Sequence, residues 1–377
     1  MKKCAVLRAV VAAAALGVLA GCGTTGRDGS PEAQRAERRA TMRGPVQIAP
    51  LLPPRVTERR AWAEDMSAAM KALGVEASAE NVCAVIAVTE QESDFRVDPA
   101  VPGLAALARK ELERRRSSAG VPSLVVESAL KLASSDGRSY NARLDAARTE
   151  RQISDIFEDL AARLPLGKAL IAGHNPVRSG GPMQVSIAFA QLHAHAKGYP
   201  FKLTGSVREE VFTRRGGLYF GIAHLFDYPA PYDDIKYRFA DYNAGRYASR
   251  NAAFQKAVGA LTGVELELDG DLLRYENAKS LREVSRTEAA ARRLAVHFEM
   301  SAADVRRDLE LGQSGELERT RLYLSVFTLA DGVAGKRAPR AVLPAIVIES
   351  FKTTRRLTST AYAARVQDRY RGCLAQL

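Results

Sequence analysis

From Thr57 onward the chain carries apolar residues at helical spacing. Trp62, Met66, Met70 and Leu73 recur every three or four positions; Thr57 can cap the helix they define, and Gly74 stops it. Ser78 can cap a second helix over about 79–93. Its middle, Val82-Cys83-Ala84-Val85-Ile86-Ala87-Val88, is apolar on every face and must be buried all round. The character then flips to Thr89-Glu90-Gln91-Glu92-Ser93, and a buried helix with a polar last turn aims that turn at a cavity or a cleft. Three more helices are expected within 101–172, interrupted at Gly120-Val121-Pro122 and around Asp136-Gly137. Others follow over about 186–197, 217–226 and 237–258, the last broken or bent at Gly245. An Arg-rich helical region runs from about 263 to the end, and Ser301-Ala302-Ala303-Asp304 opens one of its helices as a capping box. Strand-like alternation is best at 264–268, and there is no internal repeat. The pattern is that of an all-α protein.

The N-terminus reads differently. Lys2, Lys3 and Arg8 precede an apolar run over 9–20 that is too short to span a bilayer, which marks a secretory signal and not a transmembrane helix. The run ends in Leu19-Ala20-Gly21-Cys22, which resembles the lipobox of bacterial lipoproteins: residues 1–21 are expected to be removed and Cys22 to carry lipid. Gly23, in place of an aspartate, favours the periplasmic face of the outer membrane by analogy. Residues 22–56, rich in Gly, Pro, Ser, Thr and Arg, read as a flexible tether. The rest of the 377 residues suffices for one large or two medium domains, and no other segment approaches 18 uninterrupted apolar residues. The formal charge of +12 falls by three with the signal; a basic surface in the periplasm faces anionic headgroups and peptidoglycan carboxylates, and nucleic acid is excluded by the compartment. With Cys4 discarded and Cys22 lipidated, Cys83 and Cys373 remain. An oxidising compartment permits a bridge that ties the chain's end to its core; two buried free thiols have equal standing.

Three short segments carry candidate chemistry: Glu92-Ser93-Asp94-Phe95, Gly181-Pro182-Met183-Gln184-Val185, and Ala240-Asp241-Tyr242-Asn243-Ala244-Gly245. Cleaving a glycosidic bond requires protonation of a poor leaving group, and an acid at the end of a dry helix is suited to hold its proton near neutral pH. In type and order the segments resemble the lysozyme-like lytic transglycosylases, over roughly residues 57–100 and 179–260. The whole body also resembles a family of uncharacterised bacterial lipoproteins. The first resemblance implies a lysozyme-like domain over 57–262 with a helical insertion at about 101–172, and a helical C-terminal extension over 263–377. It implies glycan cleavage by a single acid/base, Glu92, with the sugar's own 6-hydroxyl as nucleophile, and no cofactor or metal. By matching positions, Ser93 would orient the carboxylate. The backbone around Met183 would line the cleft, Gln184 would bind substrate, Tyr242 would hydrogen-bond near Glu92, and Asn243 would contact an N-acetyl group. The implied partners are peptidoglycan glycan strands and, through lipid on Cys22, the membrane; protein partners are left open.

The sequence departs from that pattern. Glu92 and Gly181 stand about sixty residues further apart than the resemblance calls for, and Pro182 replaces a Leu and removes a backbone donor. An insertion that plugged the groove would make the protein a non-catalytic peptidoglycan-binding or scaffold lipoprotein. Other features read as structural. His193 and His195 face different sides of one helix, Arg114–Arg116 and Arg214-Arg215 read as solvated faces, and Glu349-Ser350-Phe351 reads as core.

Overall fold

The structure, a computed structural model, describes residues 44–163, 175–203, 205–230, 232–276, 279–348 and 357–377. The signal, Cys22, most of the expected tether and Glu349-Ser350-Phe351 lie outside these residues. The described chain is mostly helical. Helix α1 (Pro45–Ile48) and a 3-10 turn lead into α2 (Arg59–Ala72) and α3 (Ala79–Ser93). The described part of the expected insertion folds as α4 (Leu104–Ser118), α5 (Ser123–Lys131), α6 (Tyr140–Ala146) and α7 (Glu150–Arg163), four helices among the described residues where three are expected from the pattern. A short antiparallel hairpin, β1 (Ser179–Gly180) and β2 (Val185–Ser186), precedes α8 (Ile187–Lys197), α9 (Val207–Val211), α10 (Arg214–Phe226), α11 (Lys236–Ala244) and α12 (Ala248–Thr262). Then come the pair β3 (Tyr275–Glu276) and β4 (Lys279–Ser280), α13 (Arg286–Ala295), α14 (Ala302–Glu310) and α15 (Arg321–Ala334). The pair β5 (Val347–Ile348) and β6 (Leu357–Thr358) leads to the last helix, α16 (Ser359–Leu374).

Helix α3 runs through the first buried cluster. Ser78 caps it by accepting from the Asn81 amide at 3.2 Å, and every residue from Val82 to Val88 is buried. The helix ends where Asp94 and Phe95 both take left-handed backbone (φ 52° and 59°). Phe95 then drops edge-on against Trp62, centroids 5.3 Å apart, and pins the turn. Helix α16 returns to lie along α3 and α11, and Cys83 is bridged to Cys373 with their Cα atoms 5.6 Å apart. The bridge, and not the pair of free thiols, is what forms.

Among the described residues, two large buried clusters and a small third one of Tyr228, Ala230 and Tyr247 divide the apolar residues. The first gathers α1, α2, α3, α8, α10, α11 and, through Tyr362, Ala363, Val366 and Cys373, the C-terminal helix. The second holds Phe254 and Val258 of α12 with Leu294, Leu309, Val326 and Phe327. A boundary at 263 therefore does not match the packing: α12 supplies the second cluster, and α16 belongs to the first. Arg250, 1% exposed, sits at the seam. It donates to the carbonyls of Gly312 and Ser314 and lies over the Tyr247 ring at 4.3 Å.

Three further expectations are corrected. Residues 44–56 are not tether: Ile48, Leu51, Leu52 and Val56 are buried in the first cluster, apolar anchors that the surrounding prolines obscure. Residues 264–268 pair with no strand and run as coil, and α2 starts from Glu58 in a left-handed conformation and not from a Thr57 cap. Arg214 and Arg215, the second with its side chain still half exposed, are also held in place. Both Nε atoms reach the carboxylate of buried Asp65 at 2.7 Å, tying α10 to α2.

Candidate functional site

The polar last turn of α3 does face a cleft. Its volume is about 800 Å³, and its walls are built from both halves of the chain. Gln91 and half-buried Glu92 come from α3, Gln184 to Ser186 from the hairpin, and Tyr242 to Gly245 from the end of α11. The insertion supplies Glu150, the first residue of α7, beside the segment 99–102. That segment is held to it by Val101 N donating to Arg148 O at 2.8 Å and by the bridge between Ala100 and Thr149. The described part of the insertion is thus a wall of the cleft.

The hairpin loop is shaped by glycines. Gly181 has φ 72°, and a Cβ there would lie 1.9 Å from the Val211 carbonyl oxygen. Across from it, Gly217 and Gly221 on α10 leave room for the Pro182 ring and the Met183 side chain, which a Cβ would approach at 2.4 Å. Met183 is fully buried in that notch, so only its carbonyl is turned to a functional group: it accepts from the Tyr242 hydroxyl at 2.6 Å. The loop closes on Gln184, whose φ of 49° costs a non-glycine residue about 1–2 kcal/mol. Its backbone amide donates to Gly181 O at 3.1 Å and its side-chain amide does so at 3.2 Å.

Glu92 meets a phenol, but not the expected one. Tyr362, on α16, donates to Glu92 Oε1. Burial and then the charge of Glu92 push the Tyr362 phenol well above its usual pKa, and the same causes raise Tyr242. Both therefore stay protonated donors, and Tyr242 lies near Glu92 while bonding to Met183. Ser93 does not orient the carboxylate; it is buried and donates to Thr89 O at 3.2 Å, back-bonding along its own helix. Glu90, two residues away, is turned to Arg55. Asn243 is exposed at the cleft edge.

The third segment is locked from beneath by Asp241, which is 0% exposed. It accepts from the Tyr228 and Tyr232 hydroxyls and from the backbone amides of Tyr247 (3.0 Å) and Ser249 (2.7 Å). Burial raises its pKa, and the hydrogen bonds from Tyr232, Ser249 and Tyr228 oppose that rise. Gly245 breaks the helix with φ 108°, so α11 and α12 meet at a sharp turn that holds Tyr242 and Asn243 at the cleft.

His224 supports the same turn by donating from Nε2 to Tyr242 O at 3.1 Å. Burial, aided by the Arg246 guanidinium, pushes its pKa down to about 4. The unfolded chain protonates this ring near 6.5, the native one does not, so stability is full above that value and is lost as pH falls from about 6.5 to about 4. A His224→Gln variant is expected to flatten the acid limb of unfolding free energy against pH, by up to about 3 kcal/mol. Denaturant titrations between pH 7.5 and 4 would measure it; parallel curves for variant and wild type would refute it.

Glu150 and Tyr362 were not singled out from the sequence. Glu150 is only 4% exposed although it opens a helix, and no local pattern separates it from other acidic residues there. Tyr362 stands 270 positions from Glu92, and only the cysteine pair hinted that the last helix returns to α3. His193 is buried and bonded to Asp227 at 2.9 Å. Among the described residues no cluster of three or more His, Cys, Asp or Glu side chains is placed to hold a metal ion.

Fold and cleft together define a mostly helical protein with an acid-bearing cleft to whose lining its C-terminal helix contributes Tyr362. The chain belongs to the family described as "Protein of unknown function (DUF1615)", whose model matches residues 55–376. It is 48% identical over 359 residues, 95% of this chain and 96% of the other, to "Uncharacterized protein YaiW" of Escherichia coli (strain K12). No solved structure matches it.

Proposed function

We propose that this protein is a periplasmic lipoprotein, anchored to the outer membrane through Cys22, that cleaves peptidoglycan glycan strands by lytic transglycosylation on a lysozyme-like domain. The observation that carries the reading is convergence: the three segments, far apart in the chain, line one open cleft with Glu92 in it. Glu92 protonates the glycosidic oxygen as that bond breaks, then takes the proton of the sugar's 6-hydroxyl as this oxygen closes on the anomeric carbon. The product is a 1,6-anhydro end, the acid is regenerated, and no water is consumed. Gln184 and Asn243 contact the sugar strand. What favours catalysis over a scaffold role is that the described part of the insertion lines the cleft beside Glu92. Digestion of sacculi with the purified full-length chain, followed by mass analysis of the muropeptides, tests it: anhydro ends support the reading, and intact strands overturn it.

Glu150 favours a second reading, hydrolysis with two carboxylates, because a buried acid faces the same space. Under transglycosylation Glu150→Gln is expected to keep anhydro products forming within about tenfold of the wild-type rate, since no base has to activate water. Ordinary reducing ends from the wild type, abolished by Glu150→Gln, would instead establish the hydrolase.

A further inference from the structure

We propose that Tyr362 is the positioning residue for Glu92, so that the C-terminal helix is a working part of the site; this rests on reading Glu92 as the acid. Helices α3 and α16 run antiparallel, and two links hold opposite ends of the pair. The Cys83–Cys373 bridge joins the start of α3 to the end of α16. Nine residues along α3 and eleven back along α16, about 14 and 16 Å at the helical rise, Glu92 meets the Tyr362 hydroxyl. Tyr362 is itself 2% exposed, packed between α3 and α11 with Ala363 and Val366, so its hydroxyl has a fixed position.

The consequence is a fixed orientation of the carboxyl, with Oε1 held by the phenol's proton. Tyr362 donates to Oε1 whether Glu92 is charged or neutral, so the carboxyl keeps one orientation through both halves of the reaction. Tyr242 does not share this task, because its hydroxyl is engaged by the Met183 carbonyl.

A donor to a carboxylate favours the charged form, so removing it raises the carboxyl's pKa. Tyr362→Phe keeps the ring and its packing. In the full-length protein, the ¹³C shift of the Glu92 carboxyl, assigned by its loss in Glu92→Gln, is expected to titrate about one to two pH units higher in Tyr362→Phe. Tyr242→Phe is expected to move it less. In glycan cleavage, Tyr362→Phe is expected to lower kcat with KM little changed and to carry the alkaline limb of the pH profile upward with the titration, because the acid must be protonated to act. An unmoved Glu92 titration in a Tyr362→Phe variant that melts like wild type would overturn the proposal, as would an equal shift in Tyr242→Phe. The titration needs no turnover. Its shift without any glycan cleavage would sink the transglycosylase reading alone, and cleavage without the shift would sink the role of Tyr362 alone.

Discussion

Glu92→Gln is expected to lower the release of anhydro muropeptides by about 10³-fold or more. The substitution is isosteric, and the amide oxygen can still accept from Tyr362, so packing of α16 on α3 is retained. What is lost is the exchangeable proton: an amide can neither protonate the glycosidic oxygen nor take the proton of the 6-hydroxyl. Thermal unfolding should therefore be nearly unchanged, within about 0.5 kcal/mol, while turnover collapses. Side-by-side digestion of sacculi with both proteins, with melting curves recorded on the same samples, measures both quantities. Anhydro products at near wild-type rate from Glu92→Gln would remove this residue from the mechanism.

Asp241→Ala is expected to cost about 4 kcal/mol or more, the largest loss of stability anticipated from a single truncation here. The aspartate satisfies two phenols and two backbone amides in a site closed to solvent. Each buried donor left without an acceptor costs about 1–3 kcal/mol, and water entering the small space vacated relieves only part of the sum. Asp241→Asn keeps one acceptor oxygen and is expected to fall between the two. The damage should be felt at the cleft before global unfolding, because the bonds to Tyr247 and Ser249 hold the turn that presents Tyr242 and Asn243. Chemical denaturation midpoints measure the first effect, and glycan cleavage well below the melting temperature measures the second. A loss under about 1 kcal/mol would mean that the donors find other partners and that Asp241 is not the anchor of the turn.

Much of the local structure was legible because its causes are local. Ser78, Ser186 and Ser301 each accept from an amide in the first turn of a helix, and an oxygen at that spacing is visible in the chain. The run from Val82 to Val88 has no polar face, so its burial could be anticipated. So could the cleft at its polar end, since two carboxylates and an amide there must face water or a ligand. The glycines of α10 were visible too, but not their purpose. Gly217 and Gly221 matter for what they let approach, Pro182 and Met183, and that requires knowing which helix lies behind the hairpin.

The sequence by itself determined the helical class, the bounds of several helices, and Glu92, Gln184, Tyr242 and Asn243 as residues of one cleft. Period and capping act over a few residues, and the order of the three segments limits how they can meet. Only the tertiary structure decided which groups touch. It bridged Cys83 to Cys373, gave the acid to Tyr362 and the motif's own tyrosine to Met183, and turned Ser93 back into its helix. It also set Glu150 in the cleft wall and bound Arg214 and Arg215 to Asp65. Those pairings join residues far apart in the chain, or choose between partners of equal chemistry close by. Hydrogen-bond and ion-pair energies depend on distances of a few ångströms that no spacing in a sequence encodes.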